Sequence, residues 1–532
     1  MAKITVDGTP LEVPDGSMLL PALLDHGLQV PHYCYHPKLS IDGSCRMCMV
    51  KVEGMPKLTI SCNTPVRDGM VIDTQSPEVV NARHGVLELL LVNHPLDCPI
   101  CDQAGECYLQ DYSFEYGTRE GKSTEPRRKL LKRVDVGPRV VLDQERCILC
   151  RRCVRFCSEI TETRELAVFN LGDESRIDTF PDEPLTNDYS ICTADICPVG
   201  ALLSKDFHHK MRVWFLDETE SVCPGCSNGC NIKVGVARRE VQRLLPRRND
   251  AVNDTWMCDE GRLGYRFVNE KRVREPQVRN GGSAGEITWA AAFDEAAERL
   301  KGLARTEGAL AAIVSPHLTN EELFVLRELL TQGLQTTQFD LAIRHGAADD
   351  LLIKEDKAAN GRGARDLGLV TGTLDDIAAG IEAGTIRGLY VTGTDLWEVW
   401  GARSAALLAR LDTLIVHATN EHPIVELAHL VLPGLTFAEK QGTFTNVAGR
   451  VQRIERALDP ESQPSDGEIF FALGQRLGMK LPTPHFDSAA VLQEIARVVP
   501  AYAHVSWNAL GAGGRPTEES AAEIAADAGA EA

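Results

Sequence analysis

All 17 cysteines of this 532-residue chain lie between Cys34 and Cys258, and none follows. Cysteines scattered through an ordinary core would not stop at a boundary. Grouped thiols in a reducing compartment serve metals or catalysis, and an odd number fits poorly with disulfides alone. Their spacing defines four groups. The first is Cys34, Cys45, Cys48 and Cys62. Soft thiolates suit both iron–sulfur clusters and zinc, and four can wrap a [2Fe-2S] cluster. The spacing is not the plant-type run, so the motif alone leaves iron and zinc open. The second is His94, Cys98, Cys101 and Cys107, a donor set for a [4Fe-4S] cluster or a zinc ion. One imidazole in place of a thiolate removes a negative charge and eases reduction, as in Rieske centres. The third, Cys147-x2-Cys150-x2-Cys153 with a distant Cys197-Pro198, is a strong [4Fe-4S] signal. A second such run would need cysteine at Asn187, Ser190 and Thr193, so one cluster is expected, on Cys147, Cys150, Cys153 and Cys197. Cys157 and Cys192 are left as small buried core residues. The fourth is Cys223, Cys226, Cys230 and Cys258. A zinc ribbon competes for it on spacing alone; beside three other cluster-type groups, a [4Fe-4S] cluster is the expectation.

Composition narrows what surrounds these groups. The formal charge of −20 argues against nucleic acid, which selects a basic surface. At 43% apolar and 25% charged residues, the chain can bury a sizeable core. No apolar run approaches the roughly 18 residues that span a bilayer, and residues 1–10 open like a strand and not like a secretory leader. Neither a phosphate-binding G-x-x-x-x-G-K-[ST] nor a G-x-G-x-x-G after a strand is visible.

The length suits three or four domains. Residues 3–13 read as a hairpin turning at Asp7-Gly8, followed by a helix capped at Ser17, so 1–76 reads as a small ferredoxin-like (β-grasp) [2Fe-2S] domain. A helix over 77–93 with Val79, Val80, Val86, Leu87, Leu90 and Leu91 on one face opens a His/Cys module, 77–117. A basic linker, 118–139, is either a solvated face or a docking strip for an acidic partner. A ferredoxin-like [4Fe-4S] module (140–212) and a four-cysteine [4Fe-4S] domain (213–270) follow. From 271 to 510, helices alternate with short apolar strands, including 310–314, 389–392 and 414–417, as in an α/β domain with a parallel sheet. The Ala-, Glu- and Gly-rich end, 511–532, is expected to be disordered.

Several segments resemble a known family: NHPLDCPICDQAGECYLQD (93–111), RCILCRRCVRFC (146–157), DICPVGALL (195–203), CPGCSNGC with CDEGRLGYRFVN (223–269), SIDGSCRMCMVKVEG (40–54) and LAHLVLPGLTFAEKQGTFTNVAGRVQ (427–452). Together they are similar to the large iron–sulfur subunit of bacterial NADH:quinone oxidoreductase, respiratory complex I. The resemblance implies ferredoxin-like modules followed by a shortened molybdopterin-oxidoreductase-like α/β domain that holds no molybdopterin. It implies a relay in which an FMN- and NADH-binding flavoprotein passes electrons through this subunit toward quinone, with proton translocation left to membrane partners. The on-path ligands would be Cys34, Cys45, Cys48 and Cys62; Cys147, Cys150, Cys153 and Cys197; and His94, Cys98, Cys101 and Cys107. Cys223, Cys226, Cys230 and Cys258 would lie off the path. Membrane contact would run through partner subunits, in a peripheral arm on the cytoplasmic face of the plasma membrane. Arg46 would either stabilise a reduced cluster by its charge or stand exposed. The alternatives are an iron–sulfur subunit of a formate dehydrogenase or NAD-linked hydrogenase, and a zinc-stapled scaffold. A catalytic formate dehydrogenase or iron-only hydrogenase chain normally needs an active-site metal ligand downstream, and no cysteine follows Cys258; the electron-input chain of an NAD-linked hydrogenase usually ends before the α/β domain.

Overall fold

The computed structural model describes residues 1–118, 120–280, 283–518 and 520. The chain divides into two units, Met1–Leu216 and Asp217–Ala532.

In the first unit, strands Ala2–Val6 and Thr9–Val13 pair antiparallel around Asp7-Gly8. Both turn residues have positive φ, 49° and 82°, as a tight hairpin turn demands. Val71–Asp73, Met49–Val52 and Thr59–Ile60 complete a five-stranded sheet, with Ala2–Val6 parallel to Val71–Asp73. Helix Leu19–Asp25 packs Leu19, Leu20 and Leu23 into a core with Ile4, Val6, Val50 and Ile72. Ser17 does not cap this helix. Met18 occupies the N-cap position, and the Leu19 amide donates to the Thr64 carbonyl at 2.9 Å. A tertiary contact thus satisfies an end that a side chain would otherwise serve.

Pro77–Asn93 is one helix capped by Ser76. Val79 and Leu87 are buried, but so is Arg83 between them, 2% exposed, with its guanidinium 5.4 Å from the centre of the Tyr116 ring. A cation over an aromatic face keeps an electrostatic partner after losing water, which is how the apolar stripe tolerates it. The basic stretch after residue 118 is not wholly solvated: Lys132 reaches Asp97, Asp143 and Glu145 at 2.6, 3.2 and 2.8 Å. Helices Arg152–Glu159 and Cys192–Asp195 and a three-stranded sheet of Leu202–Ser204, Val140–Leu142 and Val134–Asp135 follow.

The second unit begins with an antiparallel sheet of Asp217–Val222, Asn231–Ala237 and Glu240–Pro246. Its main body is a seven-stranded sheet. Phe339–Leu341, Leu310–Val314, Gly388–Thr392, Thr413–Ala418 and Leu430–Pro433 run parallel, and Gln277–Asn280 and Ser283–Glu286 close one edge antiparallel. Successive residues serve opposite faces. Leu310, Ala312 and Val314 join one core with helices Trp289–Ala304, Asn320–Glu328 and Asp466–Leu477. Ala311 and Ile313 join another with helix Leu374–Ala383. A sheet covered on both faces explains why its strands read as continuous apolar runs. The expected disordered tail is corrected as far as residue 518: Arg515–Pro516 pairs with Arg450–Ile454, and the Thr517 amide donates to the Gly449 carbonyl at 2.8 Å. Residues 519 and 521–532 lie outside the described residues. No described helix is long and apolar enough to cross a membrane.

Candidate functional site

The first thiol group sits at one end of the five-stranded sheet. Cys34 and Cys45 lie in the loop before strand Met49–Val52, Cys48 adjoins that strand, and Cys62 sits in the turn Ser61–Asn63. The Ser61 amide and hydroxyl both donate to the Cys48 carbonyl, at 3.0 and 2.9 Å, pinning the two segments together. The Cys34 thiol hydrogen-bonds that of Cys45, and Cys48 that of Cys62; one thiol of each pair is drawn down and the other driven up, because the shared hydrogen bond stabilises a single thiolate. Cys62 also feels the charge of the other three thiols, and Cys48 that of Cys34. Arg46, between Cys45 and Cys48, is exposed with φ 58°, which turns the loop sharply.

In the third group, Leu149 and Arg151, at φ 53° and 58°, flank Cys150. These left-handed residues coil the C-x2-C-x2-C run so that its thiols face inward. Cys147, Cys150, Cys153 and Cys197 line one cavity of about 20 Å³. Burial, then the charge of neighbouring thiols, pushes the Cys150 thiol up to about 11 and holds Cys147 and Cys153 above the ordinary range, while burial alone raises Cys197. Cys157 and Cys192 are fully buried and do not line it.

The second group is the most open. Cys101 and Cys107 are buried while Cys98 is exposed. The charge of Cys98 acts on Cys101, and that of Cys101 on Cys107. His94 is the C-cap residue of helix Pro77–Asn93. Burial, then the neighbouring Arg146 guanidinium, lowers its imidazole to about 4, so it is neutral at pH 7, as a ligand must be. The described neighbours of His94 are Arg146, Asp97, Asp143 and Lys132; no described contact joins it to the three thiols.

These three groups adjoin one another. Arg155, in helix Arg152–Glu159, donates to the carbonyls of Cys34 and Ser40, while Ser40 Oγ donates to Glu159 at 2.5 Å. The helix that carries Cys153 is thereby tied to the loop that carries Cys34. On the other side, a Cβ added at Gly200 would stand 2.2 Å from Cys101 Sγ, so the backbone just after Cys197 touches the second group. Tyr33 is fully buried between Cys45 and Cys107, whose charges both act on it. The arginines interleaved in Cys-Arg-Arg-Cys-Val-Arg-Phe-Cys are a visible sequence signal for this tie, which the spacing of cysteine alone does not reveal.

The fourth group lies in the second unit. The Cys223 amide donates to the Cys230 carbonyl at 2.8 Å. Cys258 caps helix Asp259–Leu263, its Sγ accepting from the Gly261 amide at 3.3 Å. A Cβ on Gly261 would meet Cys223 Sγ at 3.0 Å and Cys258 Sγ at 3.3 Å, so this glycine lets two thiols close over the backbone. Burial, then the other three thiols, holds Cys223 well above the usual range; burial lifts Cys258 to about 11. A cavity of about 300 Å³ adjoins this group, lined among others by Gly225, Gly261, His317, Lys357, Lys440 and Asp466. Behind it runs a buried chain: Lys440 to Glu322 at 2.7 Å and Asp466 at 3.6 Å, Asp466 to His417 at 2.9 Å, His417 to Tyr390 at 2.6 Å. Sequence periodicity gives no sign of this network, because its members come from separate elements.

Four packed thiols share a burial problem: ionising them in a dry site is costly unless a cationic centre binds there. Thiolate donor sets of this kind fit iron–sulfur clusters.

Comparison with known proteins agrees in kind. Residues 1–77 match a 2Fe-2S iron–sulfur cluster binding domain, 83–122 an NADH-ubiquinone oxidoreductase-G iron–sulfur binding region, and 137–203 the ferredoxin-like domain of NADH-quinone oxidoreductase subunit 3. Residues 216–270 match the Fe4S4 domain of molybdopterin oxidoreductases, and 355–476 the molybdopterin oxidoreductase family itself. The fold class is therefore ferredoxin-like domains followed by a molybdopterin-oxidoreductase-type α/β domain, and the cofactors are one [2Fe-2S] and several [4Fe-4S] clusters. The G subunit of the NADH-quinone oxidoreductase of Rickettsia conorii is 39% identical over 64% of this chain and 51% of its own. The NADH-ubiquinone oxidoreductase 75 kDa subunit of Reclinomonas americana is 39% identical over 62% of this chain and 48% of its own. A second form of the G subunit, from Rhizobium meliloti, is 36% identical over 66% and 41%. The resemblance seen in the motifs is thus carried by relatives of that name, and the chain spans about half the length of those it matches. An NAD+-reducing [NiFe]-hydrogenase structure aligns over 40% of this chain and 91% of its own, at 28% identity and a TM-score of 0.36.

Proposed function

We propose that this chain is an electron-transfer subunit of an NADH:quinone oxidoreductase. The observation that carries the reading is the contiguity of three soft-ligand groups in one unit, tied by Arg155 on one side and met at Gly200 on the other. Cys34, Cys45, Cys48 and Cys62 would hold a [2Fe-2S] cluster. Cys147, Cys150, Cys153 and Cys197 would hold a [4Fe-4S] cluster, as would His94, Cys98, Cys101 and Cys107. Cys223, Cys226, Cys230 and Cys258 would hold a further one, off the path. Bound clusters supply one-electron storage and transfer, and the protein tunes them through ligand identity, hydrogen bonds and burial.

The chain's own residues do the rest. Arg152 donates to the Ile196 carbonyl at 3.2 Å and Arg155 to the Cys34 carbonyl, placing positive charge beside two thiolate groups. Cys34, Cys48, Cys62, Cys150 and Cys153 are buried, which limits the access of water to the first and third groups. The relatives' names, which speak of NADH and quinone, support NADH as the source of the electrons and a quinone as final acceptor; in this reading an FMN- and NADH-binding flavoprotein is the donor and membrane partners translocate protons. The same reading places the chain in the peripheral arm on the cytoplasmic face of the membrane.

Elemental analysis of anaerobically purified protein tests the reading: it expects about 14 iron atoms with matching sulfide. About 10 would leave one four-iron site empty. Zinc without sulfide overturns it, and stoichiometric molybdenum would point to a dehydrogenase instead.

A further inference from the structure

We propose that Asp102, His208 and His209 form a binding site for a zinc-class divalent metal ion, separate from the four cysteine groups. One donor atom from each of the three lies within 4.8 Å of the others. Asp102 is 6% exposed. Its Oδ2 accepts from the His209 amide at 2.8 Å, which fixes the carboxylate against the turn that presents both imidazoles. His208 Nε2 stands 3.8 Å from one carboxylate oxygen, and His209 Nδ1 stands 3.4 Å from the other. Both separations exceed a hydrogen bond. The two imidazoles face different oxygens of the one carboxylate, leaving between nitrogen and oxygen a gap that an ion with ligand bonds of about 2.0 to 2.2 Å bridges. The two rings lie side by side, centroids 3.9 Å apart and tilted by 34°, so both imidazoles are held next to the same carboxylate.

The surroundings fit an accessible site with one position left for water. The three residues border a cavity of about 460 Å³ in the first unit. Its other carboxylates are taken: Asp97 and Asp143 each pair with Lys132 and Arg146. Arg212 is held by the carbonyls of Cys101 and Pro99. Among the described residues, no lysine or arginine pairs with Asp102. Arg133 also lines the cavity and opposes a cation there. Two imidazoles and a carboxylate suit zinc better than magnesium or calcium, which ask for oxygen donors. Asp102 directly follows Cys101, so the ion would staple that loop to the segment after Leu202–Ser204.

The test uses the full chain, purified without oxygen and retaining its iron, titrated with Zn2+ alone. The expected result is one equivalent bound, with an X-ray absorption shell of nitrogen and oxygen at about 2.0 Å and no sulfur. His208→Gln and His209→Gln should each weaken binding by at least about tenfold, since loss even of an outer partner costs that much. Iron and sulfide must stay at the parent level in both variants, which certifies the fold. A sulfur shell, or unchanged affinity in both variants, would place the zinc elsewhere and overturn the site. So would loss of zinc from the parent protein on gel filtration, which marks an adventitious ion only.

Discussion

At the residue scale, two positions decide what their groups can hold. His94 is the one non-thiol donor proposed among the four cluster groups, and its neutral imidazole carries one negative charge fewer than cysteine would. His94→Cys should therefore lower the reduction potential of that centre, by on the order of 100 mV. A redox titration of the variant reads this directly, and an unmoved potential would strike His94 from the ligand set. Gly261 decides by absence. With Cys223 Sγ only 3.0 Å from where its Cβ would stand, Gly261→Ala must push a thiol or the helix start aside. The expected loss is about four iron atoms per chain, with the [2Fe-2S] signal intact; full iron content in the variant would mean that the fourth group does not bind a cluster across this glycine.

At the element scale, helices dock through buried polar contacts that periodicity does not reveal. Helix Asn320–Glu328 meets strand Gly442–Thr445 through Glu321, whose carboxylate accepts from the Thr443 amide and hydroxyl at 2.8 and 2.7 Å. Burial still wins over those bonds and lifts the Glu321 carboxyl to about 7. The folded state therefore binds a proton more tightly than the unfolded chain does. The stabilisation is complete below the unfolded value near 4.5 and fades as pH rises through the folded one. It amounts to about 3 kcal/mol at most. Glu321→Gln should flatten the pH dependence of the second unit's unfolding between about pH 4.5 and 7; an unchanged slope would assign it to other groups. Helix Arg152–Glu159 docks similarly. Arg155→Leu strands the buried Cys34 carbonyl, while water can replace the donor at the more open Ser40 carbonyl, and should cost roughly 1 to 3 kcal/mol, a buried acceptor being expensive to leave unpaired. The electron paramagnetic resonance of the [2Fe-2S] site should broaden with it, whereas destabilisation without a spectral change would make Arg155 a prop remote from that site. What can be read from the sequence divides along the same line. Contacts within a few residues, such as the Asp7-Gly8 turn, the helix at 77–93 and the C-x2-C loops, follow from local rules and are found where spacing puts them. Ser17 fails as a cap because a distant carbonyl, that of Thr64, serves the helix end. Arg83, Glu321 and the Asp102–His208–His209 cluster are invisible to local rules because each is defined by partners far off in the chain.

At the scale of the whole molecule, the boundary between Leu216 and Asp217 sorts the four thiol groups three and one. Each unit has apolar cores of its own. One gathers Ile4, Leu19, Val50 and Ile72, and two others cover the faces of the seven-stranded sheet. The proposed relay needs its centres held at fixed spacing, and in the first unit the groups share contacts. Arg155 belongs at once to the first and third, and Gly200 to the second and third. The fourth group shares its walls instead with the cavity and buried ion pairs of the second unit. Electron transfer through the first unit should therefore not depend on the second. Separate expression of 1–216 and 217–532 tests this. The first piece should carry about 10 iron atoms and the second about four, and the first should keep the reduction potentials that its centres have in the full chain. Loss of iron from 1–216 alone would show that the second unit completes one of the three groups, and the contiguous wire would then have to be redrawn to pass through both.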